Sequence, residues 1–337
     1  MRRGRLASIG NIEIDPHCPD PVITSPEQVL LKVRYSAVNA DDYHVFAGSL
    51  PSPYDERTLL HETSGEIVAL GEEARRLGFA VGDQVSSNVS FGCGVCPMCR
   101  QGKMNLCLDK HGLGASSDYL LLDGSSLVHL PPTISMKEGA LYWLATCCLR
   151  GVERSGIKPN QSVLIIGGGA TGLMLLQLVK KRMPKTVVVS ELIDYKRDLA
   201  LRLGADKVVD PNVDNIEEIA LDLTQGLGFD VVIDAAGALN ALENVTSLIA
   251  RGGTLMLYSY YRVNDFLRLN LMETYWMELT VLSSYGANVD SYTDASVRTL
   301  EYLDLSSLIS EIVPFERMQE AFEKYGTHEY LRLLIEY

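Results

Sequence analysis

Two textures of hydrophobic patterning divide the chain. Over residues 1 to about 145, short apolar segments alternate with polar ones and are broken by Gly, Pro and Asp. Examples are VLLKVRYSAVN (29–39), SGEIVALG (64–71), GDQVSS (82–87) and DYLLLDG (118–124). Alternation with turn residues between the segments predicts an antiparallel, barrel-like β domain. From about 150 the runs become continuously apolar: SVLIIG (162–167), TVVVSE (186–191), DKVVD (206–210), DVVIDAAG (230–237), TLMLYSYY (254–261) and LTVLSSYG (279–286). Helical stretches such as TGLMLLQLVKKRM (171–183) and DYKRDLALRLG (194–204) separate them. Near-continuous apolar strands alternating with helices predict an α/β fold, a parallel sheet covered on both faces. The tail, from about 287, reads as a helix and a closing segment, YLRLLIEY.

The glycine turn between the first of these strands and its helix adds chemistry. SVLIIGGGATG sets Gly167, Gly169 and Gly172 in a G-x-G-x-x-G pattern, with Ala170 and Thr171 opening the helix. The first glycine permits the tight turn, and the second lets backbone approach a pyrophosphate. The third lets helix and strand pack closely, while the helix N-terminus offers free N–H groups. The next strand ends in Glu191, nineteen residues after Gly172. An acid there is placed to bind the ribose 2′- and 3′-hydroxyls of NAD and to repel the 2′-phosphate of NADP, so NAD(H) is the expected cofactor. Lys196, one helical turn on, faces the same ribose. The competing reading is a glycine turn that binds nothing, with Glu191 a solvated acid.

Cysteine usage adds a metal. Cys93, Cys96, Cys99 and Cys107 crowd into fifteen residues as C-x2-C-x2-C-x7-C. Four thiolates so spaced close a tetrahedral Zn²⁺ shell with no open position, a structural site. An iron–sulfur cluster is the alternative, and the x7 gap and the nicotinamide fold favour zinc. The remaining cysteines are Cys18 and the pair Cys147 and Cys148, the latter two expected as small core residues.

Composition narrows the partners. The 337 residues, 47% hydrophobic and 22% charged, are enough for two domains. A net charge of −13 argues against nucleic acid as a partner. No run of eighteen apolar residues suggests a membrane span, and the basic start MRRGRLASIG lacks the apolar core of a secretion signal, so a cytoplasmic protein acting on a small molecule is expected.

These features, in this order, resemble the medium-chain dehydrogenase/reductase family over essentially the whole chain. His61-Glu62-x-x-Gly65 resembles the family's G-H-E-x-x-G element, with Leu60 in place of the first glycine. SELIDYKRDLALRLGADKVV is similar to threonine and polyol dehydrogenases, and Arg332 matches a family arginine near the cofactor pyrophosphate. The resemblance implies a GroES-like substrate domain (1–145 and 287–337, zinc lobe 91–108) and a Rossmann domain (146–286). It further implies an active site in the cleft between them and a homodimer or homotetramer.

The family's zinc enzymes hold a second, catalytic zinc. By resemblance its ligands would be a cysteine where this chain has Asn39, the histidine His61, and a third residue where it has Tyr142. An amide and a phenol are poor zinc ligands, so a metal-free site is expected, similar to quinone and enoyl reductases. The expected reaction is NADH-linked reduction of a conjugated C=C or carbonyl group. Tyr142 is the first candidate proton donor and His44 the second, with Asp41 in the position of a relay hydroxyl. Two alternatives stand beside it: a secondary-alcohol or polyol dehydrogenase with an atypical zinc on His61, Glu62 and Asp41, and a non-catalytic NAD-binding sensor. Simpler roles compete residue by residue. Tyr142 can be packing, His61 a hydrogen-bonded barrel histidine, and Asn39 the holder of a backbone turn. Glu62 and Asp42 can pair with Arg332 and lock the domains together.

Overall fold

The structure, a computed structural model, describes residues 1–51, 58–88, 90–112, 114–262, 264–288 and 292–337. The chain divides into two units, Met1–Thr146 with Ala287–Tyr337, and Cys147–Gly286.

The first unit opens with the hairpin β1 (Arg3–Ser8) and β2 (Asn11–Asp15). The long strand β3 (Gln28–Val38) follows, and then the helix Ala40–Phe46. Next come β4 (Glu62–Leu70), β5 (Gln84–Asn88), the short pair β6 (Ser90–Phe91) and β7 (His111–Gly112), β8 (Tyr119–Asp123) and β9 (Leu127–His129). One edge of β3 pairs with β4. Its other edge is shared, β8 taking residues 28–32. Along β3 the odd positions Val29, Leu31 and Val33 are buried and pack with Ile67, Val85 and Leu122. That is the period-two pattern of a strand with one face in a core.

The second unit carries six parallel strands: β10 (Ser162–Ile166), β11 (Thr186–Ser190), β12 (Lys207–Val209), β13 (Phe229–Asp234), β14 (Ile249–Leu257) and β15 (Thr280–Ser283). Their order is β12-β11-β10-β13-β14-β15. This is the doubly wound arrangement, in which the chain moves outwards one way from β10 and then returns to build the other half from β13. All five residues of β10 are buried, which explains why the strand reads as an unbroken apolar run.

The chain then returns to the first unit with β16 (Ile309–Pro314) and β17 (Arg332–Glu336). β17 pairs with the second half of β3, residues 35–38, and β16 lies parallel to β17. The sequence pattern shows β17 but not β16, which has only one fully buried residue, Val313. Among the described residues, no helix is long and apolar enough to cross a membrane.

Candidate functional site

At the carboxyl end of β10 two of the three glycines have a steric reason. Gly167 sits at φ +101°, in the left-handed region, and a Cβ there would lie 2.9 Å from Ala236 N. At Gly172 a Cβ would come within 1.9 Å of Gly167 O, so only glycine lets the helix pack on the turn. Gly169 differs: its φ is ordinary and a Cβ would meet nothing within 4 Å. It caps the helix Ala170–Lys180 without a side-chain bond, so no cap side chain takes up the first N–H groups of the helix that Ala170 and Thr171 open. Glu191 follows β11. Its Oε2 accepts from Gly168 N–H at 2.7 Å and its Oε1 from Ile193 N–H at 3.0 Å. Lys196 is buried on the helix Asp194–Arg202. Burial pushes its ammonium below the usual range and Glu191 opposes that shift.

In the first unit the four cysteines converge. Their sulfurs lie within 4.8 Å of one another, the sole such group of Cys, His, Asp and Glu among the described residues. Cys96 Sγ and Cys107 Sγ are 3.8 Å apart, the edge of a tetrahedron with Zn–S bonds of about 2.3 Å. Backbone N–H groups already point at the sulfurs: Cys93 N to Cys107 Sγ at 3.2 Å and Cys96 N to Cys93 Sγ at 3.4 Å. The N–H groups of Leu108 and Cys99 bring the Cys96 thiol down to about 6, into the range of a thiolate at neutral pH. The donor set fits a structural zinc ion.

The second cluster sits where β3, the helix Ala40–Phe46, β4 and β17 meet. Asn39 is the helix N-cap, its Oδ1 accepting from Asp42 N–H at 3.0 Å, which turns its Nδ2 towards His61 Nδ1 at 3.3 Å. Asp42 Oδ2 faces the same Nδ1 at 3.3 Å, and Asp41 Oδ2 faces Nε2 at 3.5 Å. The Asp42 Oδ2–Nδ1 approach is a charge contact and not a hydrogen bond, and burial raises the Asp42 carboxyl against the pull of His61. Burial alone would depress the His61 imidazole. Asp41, Asp42 and Glu62 more than offset that and raise it to about 10, so the ring is an imidazolium at neutral pH. Glu62 pairs with Arg332 at 3.2 Å, both nearly inaccessible to solvent. Burial still lifts Glu62 to about 7 against the pull of Arg332 and His61. Arg332 also donates to Val38 O and to Tyr325 Oη.

Immediately before His61, Leu60 is buried and held at φ +68°, a region costly for a branched side chain. Its N–H donates to Asp42 Oδ1 at 2.9 Å and its C=O accepts from Ala115 N–H at 2.7 Å. Those two bonds fix the backbone that aims His61.

Several expectations change. Asp42 pairs with His61, not with Arg332, because capping by Asn39 fixes the helix end and points Asp42 inward. Glu62 and Arg332 belong to the same unit, so their bond ties β4 to β17 and not one domain to the other. The Arg332 guanidinium, expected beside a pyrophosphate, is embedded in the first unit by these partners. An atypical zinc on His61, Glu62 and Asp41 does not fit. The carboxylates face opposite ring nitrogens, Glu62 is committed to Arg332, and the group does not converge as the cysteines do. Tyr142 heads the helix Tyr142–Ser155 fully buried, its Oη without a hydrogen-bond partner, and burial followed by Glu301 and Glu138 raises its phenol well above the usual value. His44 lies in the last turn of the helix Ala40–Phe46, Nδ1 at 2.8 Å from Ser49 Oγ. Cys147 and Cys148 are buried. Tyr325 as an Arg332 partner has no local sequence signal.

Residues 25–132 match the family model of the alcohol dehydrogenase GroES-like domain, and residues 170–301 that of the zinc-binding dehydrogenases. The chain belongs to the medium-chain dehydrogenase/reductase family. It is 28% identical to D-arabitol-phosphate dehydrogenase from Enterococcus avium, over 92% of this chain and 90% of that one. Identity is also 28% with sorbitol dehydrogenase from Halalkalibacterium halodurans, over 94% and 93%. Among solved structures, a zinc-binding dehydrogenase from Sinorhizobium meliloti bound to NADP superposes with a TM-score of 0.91 at 28% identity, covering 100% of this chain and 99% of that one. The medium-chain family is one of NAD(P)-dependent oxidoreductases, and the chain is such an enzyme.

The two glycines separate packing from binding. Gly172→Ala is expected to destabilise the apoprotein by about 1–3 kcal/mol, as over-packing does. Gly169→Ala is expected to leave stability within about 0.5 kcal/mol and to weaken dinucleotide binding; denaturant unfolding and NADH titration of both variants check this. The His61 charge gives a pH test. Its folded-state value lies above its ordinary 6.5, so its contribution is complete below about 6.5 and lost as pH rises through about 10. Wild type is expected to exceed His61→Gln by about 3 kcal/mol at pH 6, a gap that closes by pH 11 in urea unfolding.

Proposed function

We propose that the chain interconverts a secondary alcohol and a carbonyl group of a small polyol-like molecule, moving hydride to and from NAD(H) without a catalytic zinc. The observation that carries this is His61, whose two ring nitrogens are taken up by two carboxylates. Alkoxide character develops on the substrate oxygen as hydride leaves or arrives, and something positive must meet it. A buried imidazolium does so: in reduction its Nε2–H bond breaks and the proton passes to the oxygen, leaving a neutral ring that is reprotonated by way of Asp41. In oxidation the same steps run backwards, the neutral ring taking the alcohol's proton.

The side from which substrate reaches it follows from exposure. Asp42 is sealed, while the Asp41 side chain is 22% exposed. Nε2, whose partner Asp41 is the more exposed of the two acids, is therefore the edge nearer solvent, and Asp41 relays the proton between ring and solvent. His44, three residues on along the same helix and partly exposed, continues that path. Tyr142 is assigned to the wall and not to proton donation, since a buried phenol with Glu301 and Glu138 acting on it holds its proton too tightly. The relatives' names, arabitol-phosphate and sorbitol dehydrogenase, support an alcohol–carbonyl couple over conjugated C=C reduction.

NAD(H) is proposed over NADP(H) on the Glu191 carboxylate, which stands over the glycine turn where a 2′-phosphate would meet like charge. The four-cysteine zinc holds its loop and takes no part in turnover. Thiolates kept for a metal suit a reducing compartment, in keeping with a cytoplasmic enzyme. A homodimer or homotetramer is supported by β15, an edge strand without Lys or Pro, and by the neighbouring helix Leu271–Met277, which exposes Leu271, Met272, Tyr275 and Trp276.

Metal analysis with turnover checks the central point. Close to one zinc per chain is expected, with NADH oxidation on ketose substrates surviving brief exposure to a chelator. Two zincs, one labile and required, would contradict it. Glu191→Ala is expected to narrow the preference for NADH over NADPH by at least about tenfold, read from the two values of kcat/KM.

A further inference from the structure

One buried acid in the second unit has no place in this chemistry. Asp234 ends β13, fully buried, in register with Ile166 of β10. Its Oδ1 accepts from the N–H groups of Ala236 at 3.0 Å and Gly237 at 3.2 Å, and its Oδ2 accepts from Tyr261 O–H at 2.5 Å. The carboxylate thus ties two segments together: the turn after β13 and the stretch Tyr258–Arg262 that follows β14.

These segments leave no slack. A Cβ on Gly237 would fall 2.5 Å from Ser259 Oγ and from Tyr260 O, and one on Gly167 would fall 2.9 Å from Ala236 N. The three strand-end turns at 167, 235–237 and 258–260 therefore nest on one another. Tyr258 is anchored against the helix Tyr142–Ser155, where a Cβ on Gly151 would lie 2.6 Å from its ring. Tyr261, only partly buried, has the Asp234 bond as its tie on the sheet side.

The doubly wound sheet consists of two halves, β10–β12 and β13–β15, each placed to take one nucleotide of a dinucleotide at its strand ends. Glu191 closes the first half and faces the adenosine ribose. Asp234 closes the leading strand of the second half, which is left to the nicotinamide nucleotide. We propose that Asp234 and Tyr261 are positioning residues for the nicotinamide half of the cofactor. Their bond holds the Tyr258–Arg262 stretch down on the 235–237 turn, so that backbone of both forms the floor under that nucleotide. The proposal rests on the NAD(H) reading above.

Calorimetric titration with two probes, NADH and ADP-ribose, tests it. ADP-ribose carries the adenosine half and no nicotinamide. Tyr261→Phe is expected to raise the Kd of NADH about tenfold and to leave that of ADP-ribose within about twofold. Asp234→Asn keeps the side chain's shape and is expected to show the same split, which covers the case in which one variant fails to fold. Loss of affinity for both probes by the same factor, or unchanged NADH binding, would overturn the proposal. Wild type binding neither probe would instead overturn the NAD(H) reading itself.

Discussion

The first unit is organised around the cost of burying charge. Asp42, His61, Glu62 and Arg332 are all nearly inaccessible, and they come from three places in the chain: a helix, the start of β4, and the head of β17. A lone ion in such a place would be prohibitive, and even a pair only breaks even when its hydrogen bonds are good. The chain meets this by crossing pairs, His61 with Asp41 and Asp42, and Glu62 with Arg332. Each pair closes a different seam. The first holds the helix after β3 against β4, and the second holds β4 to the last strand. The fold and the polarity of the site are therefore set by the same bonds.

Local backbone strain serves that arrangement. Leu60 occupies a left-handed conformation that glycine would adopt freely, and its side chain gains burial in the core in return. Its N–H bond to Asp42 couples the strained residue to the charged pair. In the second unit, strain is relieved by glycine at Gly167 and Gly172, while Gly169 is left facing open space. Within one turn, two glycines are required by packing and the third is not.

How much of this the sequence disclosed depended on range. The glycine turn, Glu191 and the cysteine quartet were legible because each is a local pattern with a steric or ligand requirement at fixed spacing. The long strands β3, β10 and β17 were legible by periodicity, whereas β16 was not, since it buries little. The charged cluster was only partly legible. Asn39 as a cap follows from its place before a helix, but whether Asp41, Asp42 or Glu62 meets His61 or Arg332 depends on how β3, β4 and β17 align, across nearly three hundred residues. Asp234 and Tyr261 were missed for the same reason: VVIDAAG reads as one more parallel strand, and the partner lies beyond the next one.

The family contains enzymes that place a zinc ion at the corresponding histidine; in the function proposed above, an imidazolium flanked by two aspartates takes that place. The protonation state of His61 is thus the decisive quantity. An NMR titration of the ring nitrogens in ¹⁵N-histidine-labelled, zinc-loaded protein, assigned with His61→Gln, measures it directly. The account predicts both ring nitrogens of His61 protonated at pH 7, with no change until the pH nears 10. A neutral ring at pH 7, or a nitrogen shifted by a bound metal ion, would contradict it.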